Sequence, residues 1–138
     1  MPTRSDVLRR VPLFYGMTDT AVDAIAGLAT EESYRPGTTL VRQGEPGETF
    51  IVIATGSASV EAGGVTVRTL GVGDFLGEIS LIDGGPRTAT VTALEPVEAL
   101  VISRDGFERL MADFPVIRLD VLQALTQRIR ERAPEVSD

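Results

Sequence analysis

The sequence predicts a mostly β protein, a β jelly-roll (double-stranded β-helix) barrel with helices at its N-terminal and C-terminal ends. From Glu32 to Ile102, short apolar or alternating segments are separated by glycine-rich turns at near-regular spacing, which is typical of sandwiches and barrels. On either side of this region, apolar residues recur at helical spacing. A chain of 138 residues suits one domain with its own core. We expect one domain over residues 4–133, made of a helical segment (1–30), a jelly roll (31–102) and C-terminal helices (103–133).

The N-terminal segment is expected to hold two helices. Residues 4–10 can form a short one, and Pro12 and Gly16 mark the connector that follows. Thr18 is a candidate N-cap for the second helix, and Asp19 suits its first turn. Because apolar residues follow at helical spacing, we interpret this helix as a packing element; they are Val22, Ile25, Ala26 and Ala29.

The β region is divided by its turn residues. Gly63-Gly64 stands where a tight hairpin needs positive φ. A closed jelly roll would leave few exposed strand edges. The predicted strands are Glu32–Tyr34, Thr39–Arg42, Phe50–Ala54, Ser57–Ala62, Val65–Leu70, Thr88–Ala93 and Val97–Ile102.

Residues 75–91 carry the chemistry of the chain. The stretch contains Gly77 and Glu78, then an apolar turn, a break at 84–86 and an alternating strand led by Arg87. Gly77 permits positive φ or close backbone approach, and the free amides of a short helical turn after it attract an anion. Arg87 offers a charged fork for phosphate oxygens, while Glu78 accepts hydrogen bonds from hydroxyl groups. A ligand with a phosphate and a ribose hydroxyl would satisfy both.

The same residues have a simpler interpretation. A glycine-rich turn followed by an alternating strand is common in β proteins. Glu78 and Arg87 would then be solvated or mutually paired surface charges, which contribute little.

The C-terminal region turns helical again after Ile102. Ser103 is a candidate N-cap, and residues 113–115 read as a break before a last helix from Pro115 to Arg132. The apolar stripe of this last helix can cover the jelly roll or pair with its own copy as a dimer seam. Phe107, Leu110 and Met111 share a face of the first helix, and the stripe of the second consists of Ile117, Val121, Leu122, Leu125 and Ile129.

Composition excludes several functions. The chain has no cysteine and no histidine, which removes disulfides, thiolate metal sites and the commonest general base and metal ligand. No nucleophile–base–orienter set is present, so we expect no enzyme and no metal. A net charge of −7 opposes nucleic-acid binding. Without a long apolar run or a signal segment, we expect no membrane span and a cytoplasmic location.

The stretch 75–91 resembles the phosphate-binding cassette of cyclic nucleotide-binding domains, the family found in catabolite activators, regulatory subunits of cyclic AMP-dependent kinase and cyclic nucleotide-gated channels. The resemblance covers about Leu13 to Asp113. It extends to the segments Pro36-Gly37-Thr38-Thr39-Leu40, Gln43-Gly44-Glu45 and Gly47-Glu48-Thr49-Phe50-Ile51-Val52-Ile53.

This resemblance implies roles for individual residues. Glu78 would take the ribose 2′-hydroxyl and Arg87 the cyclic phosphate. Glu48 falls where kinase regulatory subunits carry an aspartate that pairs with this arginine, so it would orient Arg87; the alternative is a turn carboxylate facing water. Gly77, Ile79, Ser80 and Thr88 complete the ligand-binding set, and Leu122, Leu125 and Arg128 are candidate contacts that cover the base.

The resemblance also implies a function. We expect a regulatory sensor module in which the nucleotide reorients the C-terminal helix and so signals to a protein partner or an output domain outside this chain. Thr88 permits cyclic GMP, but its hydroxyl can also bond a phosphate oxygen, and cyclic AMP is favoured. The alternative is a jelly-roll adaptor that binds proteins and no nucleotide. We expect no DNA binding, because no helix-turn-helix follows. The C-terminal helix could also form a homodimer with a second copy of the chain.

Overall fold

The computed structural model describes residues 3–11, 14–15, 17–77, 85–116, 118–119 and 122–123. As predicted, helices come before and after a continuous series of strands along the chain. Strand β6 was not predicted, because two residues are too short to show alternation. The helices are α1 (Arg4–Leu8), α2 (Asp19–Leu28) and α3 (Arg104–Asp113), and the strands are β1 (Thr30–Tyr34), β2 (Thr39–Val41), β3 (Thr49–Thr55), β4 (Ala58–Ala62), β5 (Val65–Leu70), β6 (Phe75–Leu76), β7 (Thr90–Ala93) and β8 (Val97–Ser103).

The strands form two four-stranded antiparallel sheets, in the orders β1-β8-β3-β6 and β2-β7-β4-β5. This is the predicted jelly-roll arrangement, and among the described strands each sheet pairs only within itself. The edge strand β5 is protected by its register and by a charge. Its pairing with β4 is irregular between Val60 and Glu61, and Arg68 lies opposite Val60, a residue of the core between the sheets. An irregular register and an inward-facing charge both discourage pairing with a further strand.

Strand β3 is buried on both faces because it separates two apolar cores. Phe50 and Val52 pack against the helices, while Ile51 and Ile53 face the second sheet. Period-2 alternation therefore gives a continuous apolar run instead of a polar face. Phe50 also lies between Phe75 of β6 and Phe107 of α3, with ring centroids at 5.5 Å and 5.0 Å.

The predicted helix caps are confirmed. The Thr18 side chain accepts a hydrogen bond from the Ala21 N–H at 3.2 Å, and the Ser103 side chain accepts one from the Gly106 N–H at 3.1 Å. Since each cap satisfies an N–H that the helix leaves unpaired, it fixes where its helix begins. The second cap sets the start of α3 at Arg104.

The residues after α3 continue the predicted helical region. Phe114 is the C-cap of α3. The residues that follow it and are helical and exposed include Pro115, Val116, Leu119 and Leu122. No helix within the described ranges has both the length and the apolar character needed to cross a bilayer.

We expect the thermal unfolding midpoint to be nearly constant between about pH 6 and 9, because no side chain of this sequence ordinarily titrates there. All 13 basic residues are arginine, and histidine and cysteine are absent, which leaves the α-amino group. Hydrogen bonds from Thr3 lower the pKa of Asp6, so its stabilisation is lost as pH falls through that lowered pKa. Burial raises the pKa of the Tyr34 hydroxyl, and the nearby Glu32 carboxylate raises it further. The stability that the neutral hydroxyl contributes is therefore lost as pH rises through that raised pKa. Calorimetric scans across this range check the prediction, and a midpoint that moves steadily between pH 6 and 9 would contradict it.

Candidate functional site

Arg87 is the only charged residue among the described residues that is buried, with 8% of its surface exposed. Two hydrogen bonds to Thr49 orient its guanidinium: Nη1 donates to the Thr49 main-chain oxygen at 3.0 Å and Nη2 to Thr49 Oγ1 at 2.8 Å. Two contacts from one planar group to one residue define its orientation. Burial of a charge in this way is costly unless it is well paired, which points to a functional reason for its position.

The backbone of Arg87 is held as firmly as its side chain. Its N–H donates to the Glu45 oxygen at 2.8 Å, and its carbonyl accepts from the Gly44 N–H at 2.9 Å. Pro46 and Pro86 form an isolated antiparallel bridge beside these bonds. The loop between β2 and β3 (residues 42–48, hereafter the β2–β3 loop) is therefore a platform for the segment that carries Arg87.

Gln43 anchors the other end of this platform. Its N–H donates to Thr90 Oγ1 at 3.0 Å, and its side-chain oxygen accepts from the Gly63 N–H at 3.0 Å. The β2–β3 loop thus joins the β4–β5 hairpin to the start of β7.

Gly77 lies directly against the guanidinium. Its φ is +98°, and a Cβ added there would meet the Thr49 main-chain oxygen and would lie 2.6 Å from Arg87 Nη1. The sequence allowed either a positive φ or a close backbone approach at this glycine, and the structure has both. Arg87 and Gly77, ten residues apart in sequence, meet because β6 pairs with β3, whose first residue is Thr49.

The remaining predicted site residues divide into two groups. Thr88 follows Arg87 and is exposed, and Leu122 is helical and exposed. The structure does not bring Leu122 into any described contact with Arg87 or Gly77. Glu78, Ile79, Ser80, Leu125 and Arg128 lie outside the described residues.

Glu48 is paired with Arg104. Its Oε2 lies 3.1 Å from Arg104 Nε, and 65% of its side chain is exposed. The described hydrogen bonds of the Arg87 guanidinium go to Thr49, so the orienting role of Glu48 stays a prediction.

Sequence analysis missed Thr49 as the residue that holds Arg87. One signal was present: Thr49 is a polar residue that immediately precedes the apolar run of β3. Its position beside Arg87 depends on the antiparallel packing of distant strands, which no local pattern reports.

The site can bind an anion without a metal ion. Arginine presents N–H donors in one plane, a geometry that matches phosphate oxygens. Among the described residues, no group of three or more potential metal-ligating side chains occurs. In a chain of net charge −7, such an anion must be attracted by local geometry.

Comparison with known proteins agrees with this geometry. The family model described as "Cyclic nucleotide-binding domain" matches residues 31–114. The Drosophila melanogaster cGMP-dependent protein kinase, isozyme 1, is 38% identical over 114 residues, which cover 77% of this chain and 15% of that protein.

Solved structures give the same result. The Thermus thermophilus catabolite activator protein superimposes with a TM-score of 0.83 at 30% identity, covering 91% of this chain and 61% of that one. The regulatory domain of Toxoplasma gondii PKA with cAMP gives 0.80 at 29% identity, covering 93% of this chain and 49% of that one. The chain spans between 15% and 28% of the length of the first curated relatives it matches.

Proposed function

This chain belongs to the cyclic nucleotide-binding domain family, and on that premise we propose that it is a regulatory module that binds cyclic AMP and passes its occupancy to an output partner. The observation that carries the proposal is the buried Arg87 guanidinium, fixed by Thr49 against the backbone of Gly77. A guanidinium held in this way is ready to accept the cyclic phosphodiester without reorganising. The relative with cAMP in its regulatory domain supports the choice of ligand.

The other ligand contacts belong to the same proposal. Glu78 takes the ribose 2′-hydroxyl, since a carboxylate accepts the hydrogen bond that this hydroxyl donates. The amides around Gly77, Ile79 and Thr88, with Ser80, surround the phosphate oxygens. A ligand bound through its phosphate and its sugar would be distinguished from a linear nucleotide by shape.

Cyclic GMP is the second candidate, and the position of Thr88 permits it. Thr88 is exposed directly beside Arg87. A similar cGMP-dependent kinase supports this alternative.

The proposed response is a shift of the C-terminal helix, expected over residues 115–132. Val116, Leu119 and Leu122 recur at helical spacing and are exposed, so these side chains have apolar surface available for burial. Closure over the base would bury it, with Leu122, Leu125 and Arg128 as candidate contacts. Pairing with a second copy would bury it as well, and the partner that reads the shift is a protein. Ligand binding biases the two arrangements only by their difference in affinity, typically about 1–3 kcal/mol.

Isothermal titration calorimetry with cyclic AMP, cyclic GMP and linear 5′-AMP tests the ligand. We expect saturable one-to-one binding of the cyclic nucleotides, tighter for cyclic AMP, and much weaker binding of 5′-AMP. Tighter cyclic GMP would make that nucleotide the ligand. No binding of either would leave the protein-binding adaptor as the function, and release of a hydrolysed nucleotide would show an enzyme.

Hydrogen exchange on the same samples tests the response. Saturation with cyclic AMP should slow amide exchange in residues 115–132 by more than it does in strands β4 and β5. Unchanged exchange in that helical region would contradict the proposed shift while leaving the binding proposal intact.

A further inference from the structure

Arg104, the first residue of α3, is bound to the β2–β3 loop through three contacts. Its main-chain N–H donates to the Glu48 oxygen at 2.9 Å. Its side chain donates from Nε to Glu48 Oε2 at 3.1 Å and from Nη2 to the Gly47 main-chain oxygen at 2.7 Å. A single residue thus holds two consecutive loop residues from both its backbone and its side chain.

These contacts end one residue before the group that fixes Arg87. Thr49 follows Glu48 directly, pairs with Ser103 in the β3–β8 register, and accepts both hydrogen bonds from the Arg87 guanidinium. The same loop bonds the backbone of Arg87 through Gly44 and Glu45. Any displacement of the loop would therefore move the acceptors of Arg87 on both sides of that residue.

We propose that Arg104 is a positioning residue for the anion site: by holding the β2–β3 loop at the start of α3, it fixes the geometry of Arg87 without touching the ligand. This inference deepens the proposed function and rests on it for the ligand, but its structural part concerns Arg87 in the unliganded chain. It also places the Glu48 carboxylate in a network that reaches Arg87 through the backbone of Thr49.

The backbone contact matters more than the ion pair. Glu48 is 65% exposed, and exposed ion pairs are weak because water screens them. The Arg104 side chain is 28% exposed, and its Nη2 donates to the Gly47 main-chain oxygen. Truncation of Arg104 would leave that oxygen without this hydrogen bond. Arg104→Ala should therefore weaken binding more than Glu48→Ala does. Arg104→Lys should restore binding in part, because an ammonium can reach one acceptor but lacks the planar fork.

Amide exchange in the unliganded protein tests the structural part directly. In Arg104→Ala, the Gly44 and Arg87 amides should exchange about tenfold faster, corresponding to about 1.4 kcal/mol, while β4 and β5 amides stay unchanged. Arg109→Ala, at an exposed position of the same helix, removes an equal charge and should change neither group of amides. Unchanged exchange at Gly44 and Arg87 in folded Arg104→Ala would overturn the inference. Equal acceleration throughout the domain would also overturn it, because that result shows a general loss of stability.

Titration with cyclic AMP and adenosine tests the consequence for binding. We expect Arg104→Ala to weaken cyclic AMP about tenfold and adenosine by less than about twofold, since only the first carries the phosphate that Arg87 would bind. An equal loss for both ligands would refute a role through Arg87. If the wild type binds neither ligand, the proposed function fails, and the exchange experiment still decides whether Arg104 positions Arg87.

Discussion

Arg87→Ala should reduce the affinity for cyclic AMP by about 30-fold or more, because truncating one member of a buried charge pair costs about 2–5 kcal/mol. The wild-type side chain is buried, and Thr49 already fixes its orientation, so little entropy is lost when the phosphate binds. Isothermal titration of both proteins measures the loss. Arg87→Lys should recover only part of it, since a lysine provides a point charge without the fork.

Arg109→Ala is the matched control for charge. Arg109 is exposed on α3, outside the β2–β3 loop that holds Arg87. The variant removes the same formal charge, so a loss below about threefold is expected. Comparable losses in the two variants would mean that Arg87 acts only through long-range electrostatics. Circular dichroism at the titration temperature must show that Arg87→Ala is folded, because Thr49 loses its partner.

Gly77→Ala should both destabilise the protein and impair binding. An alanine at φ +98° costs about 1–2 kcal/mol by itself, and its Cβ would also collide with the Thr49 main-chain oxygen and Arg87 Nη1. The oxygen belongs to the backbone of β3 and cannot move independently. We expect the free energy of unfolding to fall by about 3 kcal/mol or more and cyclic AMP affinity to fall at least about tenfold.

Two other glycines separate the backbone cost of a positive φ from the steric clash of the added Cβ. Gly37 has φ +87°, but a Cβ there would meet nothing within 4 Å, so Gly37→Ala should show only the backbone cost of about 1 kcal/mol. Gly71 has neither a positive φ nor a close neighbour, and Gly71→Ala should be nearly neutral. Urea denaturation of the three variants measures the series. Equal effects at positions 37 and 77 would exclude a steric clash at the site.

The residues of the candidate site differed in how far the sequence predicted them. The positive φ of Gly77 could be anticipated, because glycine adopts positive φ without steric cost and φ is a local property. Arg87 was predicted from its chemistry and its place before an alternating strand. Thr49 was not predicted, and the sequence did not reveal the contact of Glu48 with Arg104, while the predicted orienting role of Glu48 toward Arg87 stays a prediction. Both concern contacts between residues that lie far apart along the chain.

The sequence by itself determined most of the elements and the N-caps of α2 and α3, since turn glycines, the capping residues Thr18 and Ser103 and the periodicity of apolar residues act over a few neighbouring positions. It also determined that the chain contains no side chain whose ordinary pKa lies near neutral pH, since that follows from composition. Only the tertiary structure decided which residue holds Arg87 and which helix holds the β2–β3 loop. Those contacts form when antiparallel strands bring distant segments within hydrogen-bonding reach, and several polar residues of similar chemistry were equally available until the register selected one of them.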